Sequence, residues 1–297
     1  MSEPNTKPLR TIRDFIRYAT TRLYESPATF MHGYDNPMEE ASFLVLRSLS
    51  LPLESEIKFL DSALAENERK KVLTAISRRC DQLVPTAYIV NEWWLTGYDF
   101  YVDERVLIPR SFIAELLEDQ LTPWITEPES VNSVLDMCTG SACLGILATN
   151  AFPMATVDCV DISPDALEVA RINIKDYGLE DIVTPIQSDL FSNLEGKKYD
   201  VIISNPPYVT QKAMDELPGE YRHEPSLALV AGDDGMDIVK RLIADAKKHL
   251  NDGGVLIVEI GDGRQAFEEA FPELPAMWLT TSAGDDMVFL VHKEDLP

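Results

Sequence analysis

The stretch Ser204-Asn205-Pro206-Pro207-Tyr208 gathers hydrogen-bond acceptors into five residues. Two consecutive prolines fix φ and remove two backbone donors, and the residues before them are held extended. The carbonyls of Asn205 and Pro206 are then free to face a cleft. Asn205 adds a side-chain carbonyl, and Tyr208 supplies a flat aromatic face beside Pro207. This set suits a planar NH₂ group, on an amide or on a nucleobase. A plain Pro-Pro turn is the alternative, and the Asn and Tyr flanks directly after an apolar run argue against it.

A second set lies upstream. Val134-Leu135-Asp136-Met137-Cys138-Thr139-Gly140-Ser141-Ala142-Cys143 reads as a buried strand, a loop of small residues and a helix start. Small residues let a ligand approach the backbone at the carboxyl end of a strand, where doubly wound sheets bind nucleotides. A tight strand-to-helix turn is the plainer reading, because the full glycine fingerprint is absent. About 20 residues on, Val160-Asp161-Ile162 ends another strand, and an acid there can accept from ribose hydroxyls. Gln187-Ser188-Asp189-Leu190-Phe191 follows a third. Asp189 can accept from an adenine amino group while Leu190 covers the ring, or can simply cap a helix.

These residues need a framework, and the hydrophobic spacing predicts one. Strands are expected at residues 131–137, 156–162, 183–187, 199–204, 254–260, 277–281 and 287–292, with helices at 142–150, 164–177 and 235–250. Apolar runs alternating with helices predict an α/β fold with a mostly parallel sheet covered on both faces. The last two strands are too close for a helical crossover, which predicts an antiparallel edge hairpin. Residues 1–84 read as a small helical domain. Ile12, Phe15, Ile16, Ala19 and Leu23 share one helical face, Asn36-Pro37 starts a helix with Glu39 in capping-box position, and a third helix covers 66–83. Residues 85–110, rich in aromatics around Gly97, read as a hairpin connector in which Trp93 and Trp94 pack into a core or between domains, with stacking on a ligand as the alternative. Residues 111–297 form the remaining domain.

Asp136, Asp161 and Asn-Pro-Pro-Tyr at successive strand ends resemble a class I S-adenosylmethionine-dependent methyltransferase, with a Rossmann-like seven-stranded sheet. Phe100-Tyr101-Val102-Asp103-Glu104-Arg105-Val106-Leu107-Ile108-Pro109-Arg110, Tyr221-Arg222-His223-Glu224-Pro225 and Ala231-Gly232-Asp233-Asp234-Gly235 are similar to the protein glutamine N5-methyltransferase family. Within it, His32-Gly33-Tyr34-Asp35-Asn36-Pro37 and the Asp-x-Cys-Thr-Gly-Ser loop resemble the branch acting on large-subunit ribosomal protein three.

The resemblance implies S-adenosyl-L-methionine as methyl donor, S-adenosyl-L-homocysteine as product, and no metal. It places Asp136, Cys138, Thr139, Gly140, Ser141 and Ala142 around the methionine part, Asp161 on the ribose, and Asp189 and Leu190 at the adenine. Asn205, Pro206 and Tyr208 are the expected catalytic residues, with Asn205 also expected to touch the cofactor, and Asn205, Pro206, Pro207 and Tyr208 are the expected substrate contacts. It also makes residues 1–84 the grip on the substrate protein. Cys138 and Ala142 stand where the family has loop glycines, and Leu190 where some relatives have an aromatic.

The 297 residues are 45% hydrophobic and 26% charged, which excludes a disordered or low-complexity chain. No apolar run reaches the roughly 20 residues of a membrane-spanning helix, and the N-terminus lacks a signal-peptide core. Cys80, Cys138, Cys143 and Cys159 form no CxxC pair, and four scattered histidines offer no metal-ligand spacing. A reducing cytoplasm is the expectation. The net charge is −24, and residues 111–297 carry 34 Asp/Glu against 12 Lys/Arg. That half would repel phosphate backbones and attract a basic protein, and solubility or a salty habitat accounts for the charge equally well. Three alternatives share parts of the pattern: the same chemistry on a peptide-chain release factor, an adenine or cytosine amino methyltransferase on nucleic acid, and a non-catalytic ribosome-assembly binding factor.

Overall fold

The computed structural model describes residues 6–30, 33–34, 36–53 and 56–297. His32 and Asp35 of the His32-to-Pro37 stretch lie outside them. The described residues form two compact units, one reaching Glu92 and taking in Pro218–His223, the other made of Trp93–Leu217 and Glu224–Pro297.

The first unit is helical: α1 (Ile12–Glu25), α2 (Pro37–Ser48), α3 (Glu56–Phe59), α4 (Glu66–Gln82) and α5 (Thr86–Val90). Thr11 and Asp14 close a reciprocal capping box at the start of α1. Asn36 Oδ1 accepts from the Met38 and Glu39 amides at 3.0 Å each, with Pro37 in the first helical position. Of the predicted face of α1, Ile12, Phe15, Ala19 and Leu23 are buried, Phe15 and Ala19 fully, and Ile16 is half-buried, packed with Leu44, Val45, Val72 and Ile76. Residues 88–90, expected in the hairpin connector, instead form α5 and close the helical unit. Pro85 starts that helix and Asn91, at φ +57°, ends it.

One residue on the apolar stripe of α4 is charged. Arg79 is 2% exposed and donates to the Glu40 and Glu220 carboxylates and to the Thr29 carbonyl. Burial opposes its charge, and the two carboxylates more than offset that, so its pKa is raised. The Thr29 amide and the Thr86 hydroxyl supply further donors to Glu220 and Glu40. Glu220 arrives from residue 141 positions later, so Pro218–His223 is an excursion of the chain into the helical unit.

The second unit opens with a short hairpin, β1 (Trp93–Leu95) and β2 (Tyr98–Phe100), turned through Thr96 and Gly97 at positive φ. Trp93 stacks on Trp94 with ring centroids 4.4 Å apart, and Trp93 is buried. There follow α6 (Ile113–Glu118), β3 (Ser133–Met137), α7 (Cys143–Ala151), β4 (Thr156–Asp161), α8 (Pro164–Asp176), β5 (Val183–Gln187), β6 (Tyr199–Ser204), α9 (Gln211–Glu216), α10 (Asp237–His249), β7 (Leu250–Glu259), α11 (Arg264–Ala270), β8 (Met277–Thr281) and β9 (Gly284–His292).

The sheet order is β5-β4-β3-β6-β7-β9-β8, with β9 antiparallel to both neighbours. Alternate residues feed opposite faces. Val201, Ile203, Val255 and Ile257 join one apolar cluster, while Ile202, Leu256 and Val258 join the other. The strand order reverses between β3 and β6, and there the carboxyl ends of β3, β4 and β6 part to leave a crevice.

Candidate active site

The Asn-Pro-Pro-Tyr stretch begins where β6 ends. Ser204 is fully buried and its hydroxyl donates to the Met137 carbonyl at 2.8 Å, bracing the end of β6 on the end of β3. Asn205, half-buried, makes no hydrogen bond to other described residues and lines a cavity of about 210 Å³. Pro207 lines it too, as do Cys138, Gly140, Asp161, Asp189 and Leu190. The structure therefore brings together seven of the residues singled out from sequence.

The others stand behind this wall. Asp136 is 1% exposed, and its Oδ2 accepts from the Thr139 hydroxyl and from the Gly145 amide at 2.9 Å. Burial pushes its carboxyl up to about 7. Thr139, Ser141 and Ala142 are buried in the same loop and, like Asp136, do not line the cavity. Their part in the geometry is to shape the loop. Cys138, Gly140 and Ala142 all take positive φ (+62°, +55° and +64°), the conformation that favours glycine. Pro206 is buried and Tyr208 half-buried, and neither lines the cavity.

Asp161 ends β4 facing the cavity. Its Oδ2 accepts from the Gly140 amide and its Oδ1 from the Ser163 amide, each at 2.9 Å. Burial raises its pKa. Each oxygen keeps a lone pair for a further donor. Asp189 faces the cavity in an ion pair with Arg241 at 2.8 Å. Ile162, 48% exposed, and Leu190 add apolar wall. Carboxylates beside apolar walls suit a nucleoside, whose hydroxyl and amino groups need acceptors while its base needs a dry surface.

Several residues at the site were given no role from sequence, Arg105 and Glu224 being noted there only within family-like motifs. Arg241 is one, and its signal was only a basic side chain on the polar face of α10. Arg105 lines the cavity, paired with Asp103 at 2.6 Å. Asn173 on α8 is 1% exposed. It exchanges hydrogen bonds with the Tyr101 backbone and donates to the Ser141 carbonyl, joining the hairpin's exit to the glycine loop. The Glu224 carboxylate, fully buried, accepts from Arg110 at 2.9 Å and from the Ile108 amide at 3.2 Å. It anchors the segment that brings Pro225, Leu227, Ala228 and Val230 to the cavity.

Tyr208 sits among backbone that has been cleared for it. A Cβ at Gly261 would lie 2.6 Å from the ring's Cε2, and one at Gly235 would lie 2.4 Å from the Tyr208 carbonyl oxygen. Both glycines also hold positive φ. The phenol oxygen lies 3.4 Å from Oε1 of the buried Glu259.

A seven-stranded sheet of this order, with a cavity at the reversal point, defines a class I methyltransferase. The Methyltransferase small domain family matches residues 115–219. The chain is 52% identical over 297 residues to the ribosomal protein uL3 glutamine methyltransferase of Burkholderia pseudomallei (strain K96243), covering 98% of this chain and 97% of that one. It is 51% identical over 288 residues to the protein of that description from Neisseria meningitidis serogroup A (strain DSM 15465 / Z2491), covering 97% and 95%. Among solved structures, the hMettl16 catalytic domain in complex with MAT2A 3'UTR hairpin 6 matches at 16% identity and a TM-score of 0.50, covering 77% of this chain and 83% of that one, a likeness of fold. The chain belongs to the ribosomal protein uL3 glutamine methyltransferase family.

Proposed function

We propose that this chain transfers a methyl group from S-adenosyl-L-methionine to the side-chain amide nitrogen of a glutamine in large-subunit ribosomal protein three, uL3. The observation that carries the reading is the uncommitted Asn205 amide, set in the same cavity wall as Asp161 and Asp189. Those two carboxylates fit the ribose and adenine of the donor, with Ile162 and Leu190 against the base. When bound, the donor supplies an electrophilic sulfonium methyl.

Everything else falls to the chain. An amide nitrogen is a poor nucleophile because its lone pair is shared with the carbonyl. Asn205 Oδ1 and the Pro206 carbonyl accept the two N–H groups of the glutamine and turn its lone pair toward the methyl, a near-attack arrangement. The same acceptors stabilise the positive charge that grows on nitrogen. Tyr208 packs on the amide plane. The nitrogen gains the methyl and then sheds one proton, so no general base is needed before transfer. The helical unit grips the substrate protein, and the enzyme works in the cytoplasm.

The test is transfer of labelled methyl from S-adenosyl-L-methionine to purified uL3, a release factor, and single- and double-stranded DNA, with wild type and Asn205→Ala. Label on uL3 that the variant loses supports the reading. Label on the release factor instead replaces the substrate, and label on DNA replaces the class.

A further inference from the structure

Glu259 is a buried carboxyl to which the steps described above assign no part. It ends β7 at 1% exposure. Its Oε2 accepts from the Ser111 hydroxyl at 2.6 Å and from the Phe112 amide at 2.9 Å, at the start of α6. Its Oε1 faces the Tyr208 phenol at 3.4 Å, long for an O–H···O bond, as contacts in a site without its ligands often are. Two residues further on, Gly261 leaves the space that the Tyr208 ring fills. A carboxyl taken out of water costs free energy that a Gln or an apolar residue would not. This one joins three parts of the chain far apart in sequence.

We propose that Glu259 is a positioning residue for methyl transfer: with Gly261 it seats the Tyr208 ring and so fixes the plane against which the glutamine amide lies. The inference rests on the reading of Asn205 to Tyr208 as the amide-binding stretch. It adds that the tilt of the ring is set from β7, beneath the sheet end, and that substrate amide and Glu259 never touch. Burial pushes the Glu259 carboxyl up to about 7, so near neutrality it can either accept from the phenol or donate to it.

A purely structural Glu259 would do no more than cap α6 through Ser111 and Phe112. The discriminating experiment is a double-mutant cycle of Glu259→Gln and Tyr208→Phe on kcat and KM for the protein substrate. Ser111→Ala is measured alongside. Donor affinity is followed by calorimetry and folding by thermal melting. Gln keeps the Oε acceptor, which guards against simple unfolding. The expected result is a roughly 10-fold fall in kcat for each single variant and no further fall in the double, with donor affinity unchanged. Ser111→Ala should keep most of kcat.

Multiplying losses in the double variant, or a Ser111→Ala loss equal to that of Glu259→Gln, would overturn the proposal. The glutamine-methylation reading would then still stand on the wild type and on Asn205→Ala. A wild type that labels no protein glutamine removes both.

Discussion

Asp136 Oδ2 accepts the Gly145 amide at 2.9 Å, tying the end of β3 to the first turn of α7. The contact exists because residue 145 has no side chain. A Cβ there would lie 2.2 Å from Cys159 Sγ and 3.2 Å from Asp136 Oδ2.

Gly145→Ala should therefore destabilise the protein by about 1–3 kcal/mol, the usual cost of overpacking a core. Cys159→Ala removes the sulfur that the new methyl strikes, so the double variant should recover much of that loss. Urea unfolding of the four proteins measures the coupling. Simple additivity would contradict the contact.

The pH dependence of stability has a definite sign. Burial holds Asp136 and Glu259 at about 7, above the usual carboxyl range. The folded state then binds more protons than the unfolded chain from about pH 4 to about pH 7. Their contribution is complete below that window and is lost as pH rises through it. Asp136→Asn and Glu259→Gln should each flatten the decline in Tm between pH 5 and pH 8. A slope unchanged in both variants would refute the assignment.

In the helical unit, Arg79→Met leaves Glu40 and Glu220 buried without their cation, at a cost of about 3–5 kcal/mol. Glu220→Gln keeps an acceptor for Thr29 and Arg79 and should cost only about 1 kcal/mol. Denaturant melts rank the two. Equal losses would mean that the charge on Glu220 matters as much as the guanidinium.

Asn205→Ala should lower kcat by on the order of 10²-fold, by analogy with the loss of one oxyanion-hole donor. Donor binding should survive, since Asp161, Asp189 and the apolar wall remain. Single-turnover kinetics together with calorimetry separate the two effects. A wild-type rate in the variant sinks the mechanism.

The acidic excess in residues 111–297 should speed encounter with a basic substrate. kcat/KM for uL3 should then fall steeply with added salt while kcat holds. A flat profile would assign the acidity to solubility alone.

The sheet was legible because its signal is local. β5, β6 and β8 lie where apolar runs and flanking turns put them, and the close spacing of the last two strands foretold the hairpin. Loop strain was half visible. The resemblance set Cys138 and Ala142 where glycines were expected, and both take positive φ. Asp161 and Asp189 face the cavity as expected, but that Asp136 does not was not legible. Asp136 and Asp161 both sit at strand ends, yet one turns under the loop and the other over it, and that depends on packing. Arg79 and Glu259 were missed for a related reason. Periodicity treats a charge on an apolar stripe as noise, and their partners lie 39 or more positions away.

The excursion of residues 218–223 also has a timing. Chains grow from the N-terminus at about 5–20 residues per second. The 141 positions between Arg79 and Glu220 thus correspond to on the order of 10 s of synthesis. Through that interval α1, α2 and α4 are present while the Thr29 amide and one arm of the guanidinium await their carboxylate. The first unit to begin is completed only after β3 to β6 of the second have been made. A nascent chain halted before residue 220 would carry a helical bundle with an opening where Glu220 belongs.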